Sequence, residues 1–205
     1  MAVRMAGVSA KLLESAAVEF EKYGFYDASL RRIAASSGTT THIIYTRFGD
    51  KEGLFAALVE PVADKYLDTL ATGDDDYCSA GDVDPDNQIN VSLRTYARMI
   101  DIMYNNKNAF RLLIDHAEGT RFADYLERIT EFQSERIFLE AQRRGMPMDD
   151  NTKLFVHIQT RAFFDSIFEM FRHDLTRERA QTFIVQLVGF FQAGVSHFEP
   201  ADRSR

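Results

Sequence analysis

The stretch from Ser29 to Lys51, SLRRIAASSGTTTHIIYTRFGDK, constrains the fold more than any other part of the chain. Leu30, Ile33 and Ala34 recur at helical spacing with Arg31 and Arg32 turned outward, which predicts a short amphipathic helix with Ser29 as its N-cap. Ser36-Ser37-Gly38 stops that helix, because glycine takes the positive φ of a sharp turn without a Cβ clash. A second helix starts at once. Thr39 or Thr40 can cap it, and Ile43, Ile44 and Phe48 give it an apolar side that can pack on the first. Its opposite side carries Thr41, His42, Tyr45, Thr46 and Arg47, groups able to bond phosphates or base edges, and no carboxylate that phosphates would repel. The pattern predicts a helix-turn-helix whose second helix enters the major groove of double-stranded DNA while the first crosses the backbone.

The surroundings strengthen the pattern. Leu12, Leu13, Ala16, Ala17 and Phe20 form the stripe of a preceding helix that closes at Tyr23-Gly24-Phe25, and the turn is followed by Tyr45, Phe48 and the run Gly49-Asp50-Lys51-Glu52-Gly53-Leu54-Phe55. On these motifs residues 9 to 58 resemble the N-terminal domain of the TetR family of transcriptional regulators. The resemblance implies that Ser29 and Lys51 hold DNA phosphates and that Thr40, Thr41, His42, Tyr45, Thr46 and Arg47 face the groove. At His42 and Ile43 the chain departs from the commonest family pattern, which often has glycine and threonine there.

Charge is distributed unevenly. Of 24 basic and 31 acidic residues, seven of each lie in the first 60 positions, so the net charge of −7 resides in the remainder. A chain this acidic is a poor general coat for nucleic acid, since nonspecific affinity comes mainly from cations on phosphate. Binding is therefore expected to be local, dimeric and sequence-directed. The chain is long enough to bury a sizeable core at 45% apolar content, and with no apolar run of membrane-spanning length and no secretory hydrophobic core in MAVRMAGVSAK, neither a membrane span nor a secretory leader is expected. One cysteine, Cys78, excludes an internal disulfide framework. A cytoplasmic protein with no membrane partner is the expectation.

Residues 71 to 87, ATGDDDYCSAGDVDPDN, lack apolar periodicity and predict an exposed acidic loop, with Cys78 a passive thiol within it. Beyond it the helical pattern marks Val91–Asn105, Ala109–Ala117, Phe122–Arg144, Thr152–Phe171 and Thr176–His197, and no alternating strand pattern competes. The predicted fold is all-α, with a helix-turn-helix domain over residues 1–56 and a larger helical domain for ligand binding and dimerisation over 57–205.

The last two helices are apolar nearly all round, which requires cover on two sides. Core burial on both sides is one reading. The preferred one places Phe164, Phe168, Phe190 and Phe191 in an interface with a second copy, a four-helix arrangement that the family resemblance implies. Two reading helices held in register combine the energies of two half-sites. Aromatic and thioether side chains of the middle helices, Tyr96, Met99, Ile100, Met103, Phe110, Leu113, Phe122, Tyr125, Phe132 and Phe138, are ordinary core types. The resemblance alone implies a cavity for a small, mostly apolar effector among them.

His116, His157, His173 and His197 stand at separations that form no metal-binding helix motif, and Arg161 with Asp165 reads as a pair on one helix. With no phosphate loop, nucleophile elbow, H-E-x-x-H or Glu-x-x-His, neither a catalytic residue, a metal nor a cofactor is expected. The function read from the sequence is a ligand-released repressor binding DNA as a homodimer. An activator, or a helical adaptor using its aromatic C-terminal helices, is the alternative.

Overall fold

A computed structural model describes residues 2–79 and 85–198, with side-chain surroundings for 10–79 and 87–194. Among them are nine helices and no strand: α1 (Ala2–Asp27), α2 (Leu30–Ser37), α3 (Thr41–Phe48), α4 (Lys51–Ser79), α5 (Pro85–Asn105), α6 (Lys107–Asp115), α7 (Tyr125–Arg143), α8 (Asp150–Arg172) and α9 (Arg177–Phe198). The all-α expectation therefore holds. Contacts divide the chain into two compact units: Met1–Tyr66 with Asn105–Tyr125, and Leu67–Tyr104 with Leu126–Arg205.

The first unit is built on α1. Leu12, Ala16 and Phe20 at i, i+4 and i+8 are buried, and so are Ile33 of α2, Ile44 of α3 and Leu54, Phe55 and Val59 of α4. Phe20 and Phe25 both meet the Phe55 ring edge-on, at centroid separations of 5.1 and 5.7 Å. The backbone at Gly24 leaves the helical region at φ 68°, ψ 177°, which breaks α1 and lets Phe25 turn into that cluster. By contacts this unit runs past residue 56, because α6 returns to pack on α1. Phe110 lies 5.3 Å from the Tyr66 ring, Phe122 stands against Phe55, and the Tyr125 hydroxyl donates to the Ala63 carbonyl at 2.9 Å.

The second unit has its core in Met99 and Met103 of α5, Ile129 and Thr130 of α7, Phe163, Phe164, Ile167, Phe168 and Phe171 of α8, and Ala180, Ile184 and Val188 of α9. The Tyr104 hydroxyl donates to the Leu175 carbonyl at 2.5 Å, tying the end of α5 to the joint before α9.

The acidic loop expected over residues 71–87 is not a loop where it is described. Residues 71–79 continue α4, α5 begins at Pro85, and 80–84 lie outside the described residues. The aspartates find partners remote in sequence: Asp74 accepts from Gln133 Nε2 at 3.1 Å and stands 3.2 Å from Arg136 Nε, Asp75 pairs with Arg136, and Asp76 lies 3.8 Å from Arg98. Tertiary pairing thus overrides a composition that disfavours helix. Cys78 accordingly lies on α4, where burial and the neighbouring Glu140 push its thiol pKa up. The expected Arg161–Asp165 pair is also replaced: Arg161 bonds Glu127 of α7, and Asp165 lies 3.9 Å from Arg172.

Candidate nucleic-acid interface

The reading head is assembled by caps. Ser29, extended at φ −115°, accepts the Arg32 amide and starts α2, and Gly38 ends that helix at φ 69° with its N–H directed to the carbonyls of Ala34 and Ala35. Thr40, also extended, accepts the Ile43 amide and starts α3. Ile33, Ala34 and Ser37 of α2 are buried, and the Ser37 hydroxyl donates to the Ile33 carbonyl at 2.8 Å, so that a polar group is satisfied inside the turn. Of the apolar side expected on α3, Ile44 is buried while Ile43 and Phe48 are half-buried.

The opposite face of α3 is open. His42, Tyr45 and Thr46 are exposed, Thr41 and Arg47 half-buried, and Tyr45 has 55% of its surface in solvent. The Thr46 hydroxyl donates to the His42 carbonyl at 2.8 Å, which spends its proton on the helix and leaves its lone pairs facing outward as acceptors. Asp50, the nearest following acid, is turned to its own backbone and accepts the Gly53 amide at 2.7 Å. This face can donate through the Tyr45 phenol and the His42 imidazole, and no carboxylate stands among its exposed residues.

The two residues expected to hold phosphates have other partners here. Lys51 Nζ donates to the carbonyls of Tyr26 and Ala28, at 2.9 and 3.2 Å, and lies 4.8 Å from the centre of the Phe25 ring. It staples the start of α4 to the end of α1. Ser29 uses its hydroxyl as the α2 cap and its N–H to reach Glu19 Oε1 at 2.9 Å. Sequence reasoning missed Glu19. It is only 9% exposed, and its Oε1 also accepts Arg32 Nε at 2.7 Å. Burial alone would raise this carboxyl, yet the hydrogen bonds from Arg32 and the Ser29 amide, with the guanidinium charge, hold it below its ordinary value. The signal was an acid at a core position of the α1 stripe, between Ala16 and Phe20.

The other predicted residues separate. Among the pocket candidates, Met99, Met103, Phe110, Leu113, Phe122 and Tyr125 are buried and Tyr96 is half-buried. Phe110, Leu113, Phe122 and Tyr125 belong to the first unit and Tyr96, Met99 and Met103 to the second, where the Tyr96 ring packs 4.8 Å from Phe163. Burial and the nearby Asp74 raise the Tyr96 phenol pKa. Phe164 and Phe168, expected in a shared interface, are each 1% exposed and belong to the chain's own core. Phe190 is 74% exposed, and Phe191 is half-buried against Phe163 at 5.2 Å. The open apolar surface of the last two helices is instead carried by Leu154, Phe155 and Ile158 of α8 and Val185 and Phe190 of α9.

Residues 12–58 match the model of the bacterial regulatory proteins of the tetR family. In fold, the chain is similar to a TetR-like transcriptional regulator from Rhodococcus sp. RHA1, at 16% identity and TM-score 0.56 over 91% of this chain and 96% of that one. A protein of Clostridium perfringens described as a fatty acid metabolism regulator aligns at 17% identity and TM-score 0.58, over 87% of this chain and 96% of its own. A TetR-family transcriptional regulator from Mesorhizobium loti MAFF303099 aligns at 16% identity and TM-score 0.51, over 93% and 97%. No curated protein sequence matches the chain.

Proposed function

We propose that this chain, whose residues 12–58 match the model of the bacterial regulatory proteins of the tetR family, is a homodimeric repressor reading its operator with α3. The observation that carries the reading is the open, acid-free face of His42, Tyr45 and Thr46, with Arg47 half-buried beside it, on a helix fixed by the Ser29, Gly38 and Thr40 caps. Thr40 and Thr41 stand at the end of α3 that meets the duplex first. Ser29 and Lys51 are proposed as phosphate contacts from the edges of the head, Lys51 exchanging its carbonyl partners for phosphate. The functional division proposed is a DNA-binding domain over 1–56 and a ligand-binding and dimerisation domain over 57–205. Among the described residues no helix is long and apolar enough to cross a membrane.

Dimerisation is supported by the large apolar side chains that α8 and α9 leave in solvent, Leu154, Ile158, Val185 and Phe190, because exposed apolar groups of this size favour cover by a partner. Gly189 and Gly194 on α9 have open space where a Cβ would stand, so a second backbone can approach closely there. A small, mostly apolar effector completes the proposal. Tyr96, Met99 and Met103 are its contacts in the second unit, while Phe110, Leu113, Phe122 and Tyr125 serve the packing of the first.

Fluorescence anisotropy of the purified protein on duplexes from the DNA flanking its own gene tests the reading. Binding that prefers such a duplex over a scrambled one and weakens steeply with salt is expected. An adaptor or an enzyme would show no preference.

A further inference from the structure

The connection between α1 and α2 is anchored by an unusual number of charged groups. The carbonyls of Tyr26, Asp27 and Ala28 all accept from cations: Lys51 Nζ takes the first and third, and Arg32 Nη2 reaches the second at 2.8 Å. From the other side, Glu19 Oε1 accepts both the Ser29 amide at 2.9 Å and Arg32 Nε at 2.7 Å. The Arg32 guanidinium also lies over the Tyr23 ring, 4.4 Å from its centre.

Capping α2 does not require this carboxylate, because the Ser29 hydroxyl already accepts the Arg32 amide. Stability does not require it either. Burying a charge is unfavourable unless it is fully paired, and an apolar side chain of similar volume would fill the same place between Ala16 and Phe20. What the carboxylate adds is direction. Its two donors come from the N-cap and the first turn of α2, so the pair of bonds fixes the angle at which α2 leaves α1. Through the Gly38 turn, the same bonds fix where α3 points. We propose that Glu19, acting with Arg32, is a positioning residue of the reading head that sets the orientation of α3 against α1. This rests on α3 being the DNA-reading helix. Arg32, although half in solvent, has its guanidinium committed to Glu19, the Asp27 carbonyl and Tyr23, and it acts through this clamp rather than as a phosphate contact.

The test compares wild type, Glu19→Gln, Arg32→Ala and the double variant in the full chain. Readouts are affinity for the preferred duplex at several salt concentrations, preference over a scrambled duplex, and hydrogen exchange of the Ser29 amide. Each single variant is expected to lose roughly ten-fold in affinity for the preferred duplex, the scale of one charged hydrogen bond, with the salt dependence unchanged. The double variant should be no worse than either single one. The Ser29 amide should exchange faster in both. Arg32→Lys, which keeps the charge and loses the second arm, should fall between and guards against a variant that fails to fold. Wild-type affinity in Glu19→Gln and Arg32→Ala would overturn the proposal. So would a salt slope lowered by about one unit in Arg32→Ala, which would make Arg32 a phosphate contact. A wild type that prefers no duplex removes the reading head and the proposal with it, and the Ser29 amide still shows whether the clamp itself forms.

Discussion

Replacing Lys51 separates the clamp seen in the structure from the phosphate contact proposed for the same ammonium. In the structure it donates to the carbonyls of Tyr26 and Ala28 and rests against Phe25, joining α4 to the end of α1. Hydrogen bonds to charged groups contribute up to about 3 kcal/mol each when buried, but Lys51 is half-exposed, so a net of about 1–2 kcal/mol for the pair is the reasonable scale. Lys51→Met keeps an aliphatic stem over Phe25 and removes only the donors. For a chain of this size, that loss lowers Tm by about 3–6 °C, read by the far-ultraviolet circular dichroism of the helices. Lys51→Ala should fall further, by the lost contact with the ring. Affinity for the preferred duplex should drop in both variants, with the salt slope smaller by about one unit if the ammonium moves to a phosphate on binding. An unchanged Tm in Lys51→Met would refute the clamp. An unchanged slope with reduced affinity would refute the phosphate contact while leaving the clamp standing.

Tyr45→Ala removes an exposed ring with little packing, so stability should stay within about 0.5 kcal/mol while duplex affinity falls by about 1–3 kcal/mol, measured by anisotropy. Phe168→Ala empties a site that is 1% exposed and should cost about 3–5 kcal/mol in denaturant unfolding, whereas Phe190→Glu should leave a folded chain that sediments as a monomer. Asp74 gives a pH signature. Burial, against the lowering by Gln133 and Arg136, raises its pKa from 3.8 to about 6. Because the folded-state value is the higher, the folded chain binds this proton more tightly, and stability rises as pH falls through 6 towards 4, by at most about 3 kcal/mol. Asp74→Asn should therefore raise Tm at pH 7.5 and not at pH 4. Glu19 works in the opposite sense, its lowered pKa giving stability that is present above the unfolded value and lost as pH falls through the folded one. Equal Tm changes for Asp74→Asn at the two pH values would contradict the buried carboxylate.

The legible parts of the reading head were local ones. Ser29, Gly38 and Thr40 act on amides and carbonyls within a few residues of themselves, so their residue types alone identify the two short helices and the turn. The partners of Lys51 lie 23 and 25 residues away, and no local pattern marks them. Asp74, Asp75 and Asp76 look like loop residues because their pairing with Gln133, Arg136 and Arg98 exists only once α4, α5 and α7 have packed. On α8, periodicity reveals two apolar faces but not their destinations: Phe164 and Phe168 share a face with Phe171 and are core, while Leu154 and Ile158 lie on the other and stay in solvent. Nor does spacing separate pocket from packing. Phe110 and Phe122 meet Tyr66 and Phe55, contacts that only the return of α6 to the first unit creates.

In the proposed complex, two copies of α3 read two half-sites. Footprinting of the wild-type protein on the DNA flanking its gene tests this most directly, because it reports position, spacing and symmetry together. One protected region is expected, containing two inverted half-sites with centres one helical turn apart, about 34 Å, or a multiple of it, with loss of that protection in both Tyr45→Ala and Phe190→Glu. Protection that is uniform along the DNA, confined to a single asymmetric site, or unchanged in those two variants would contradict it.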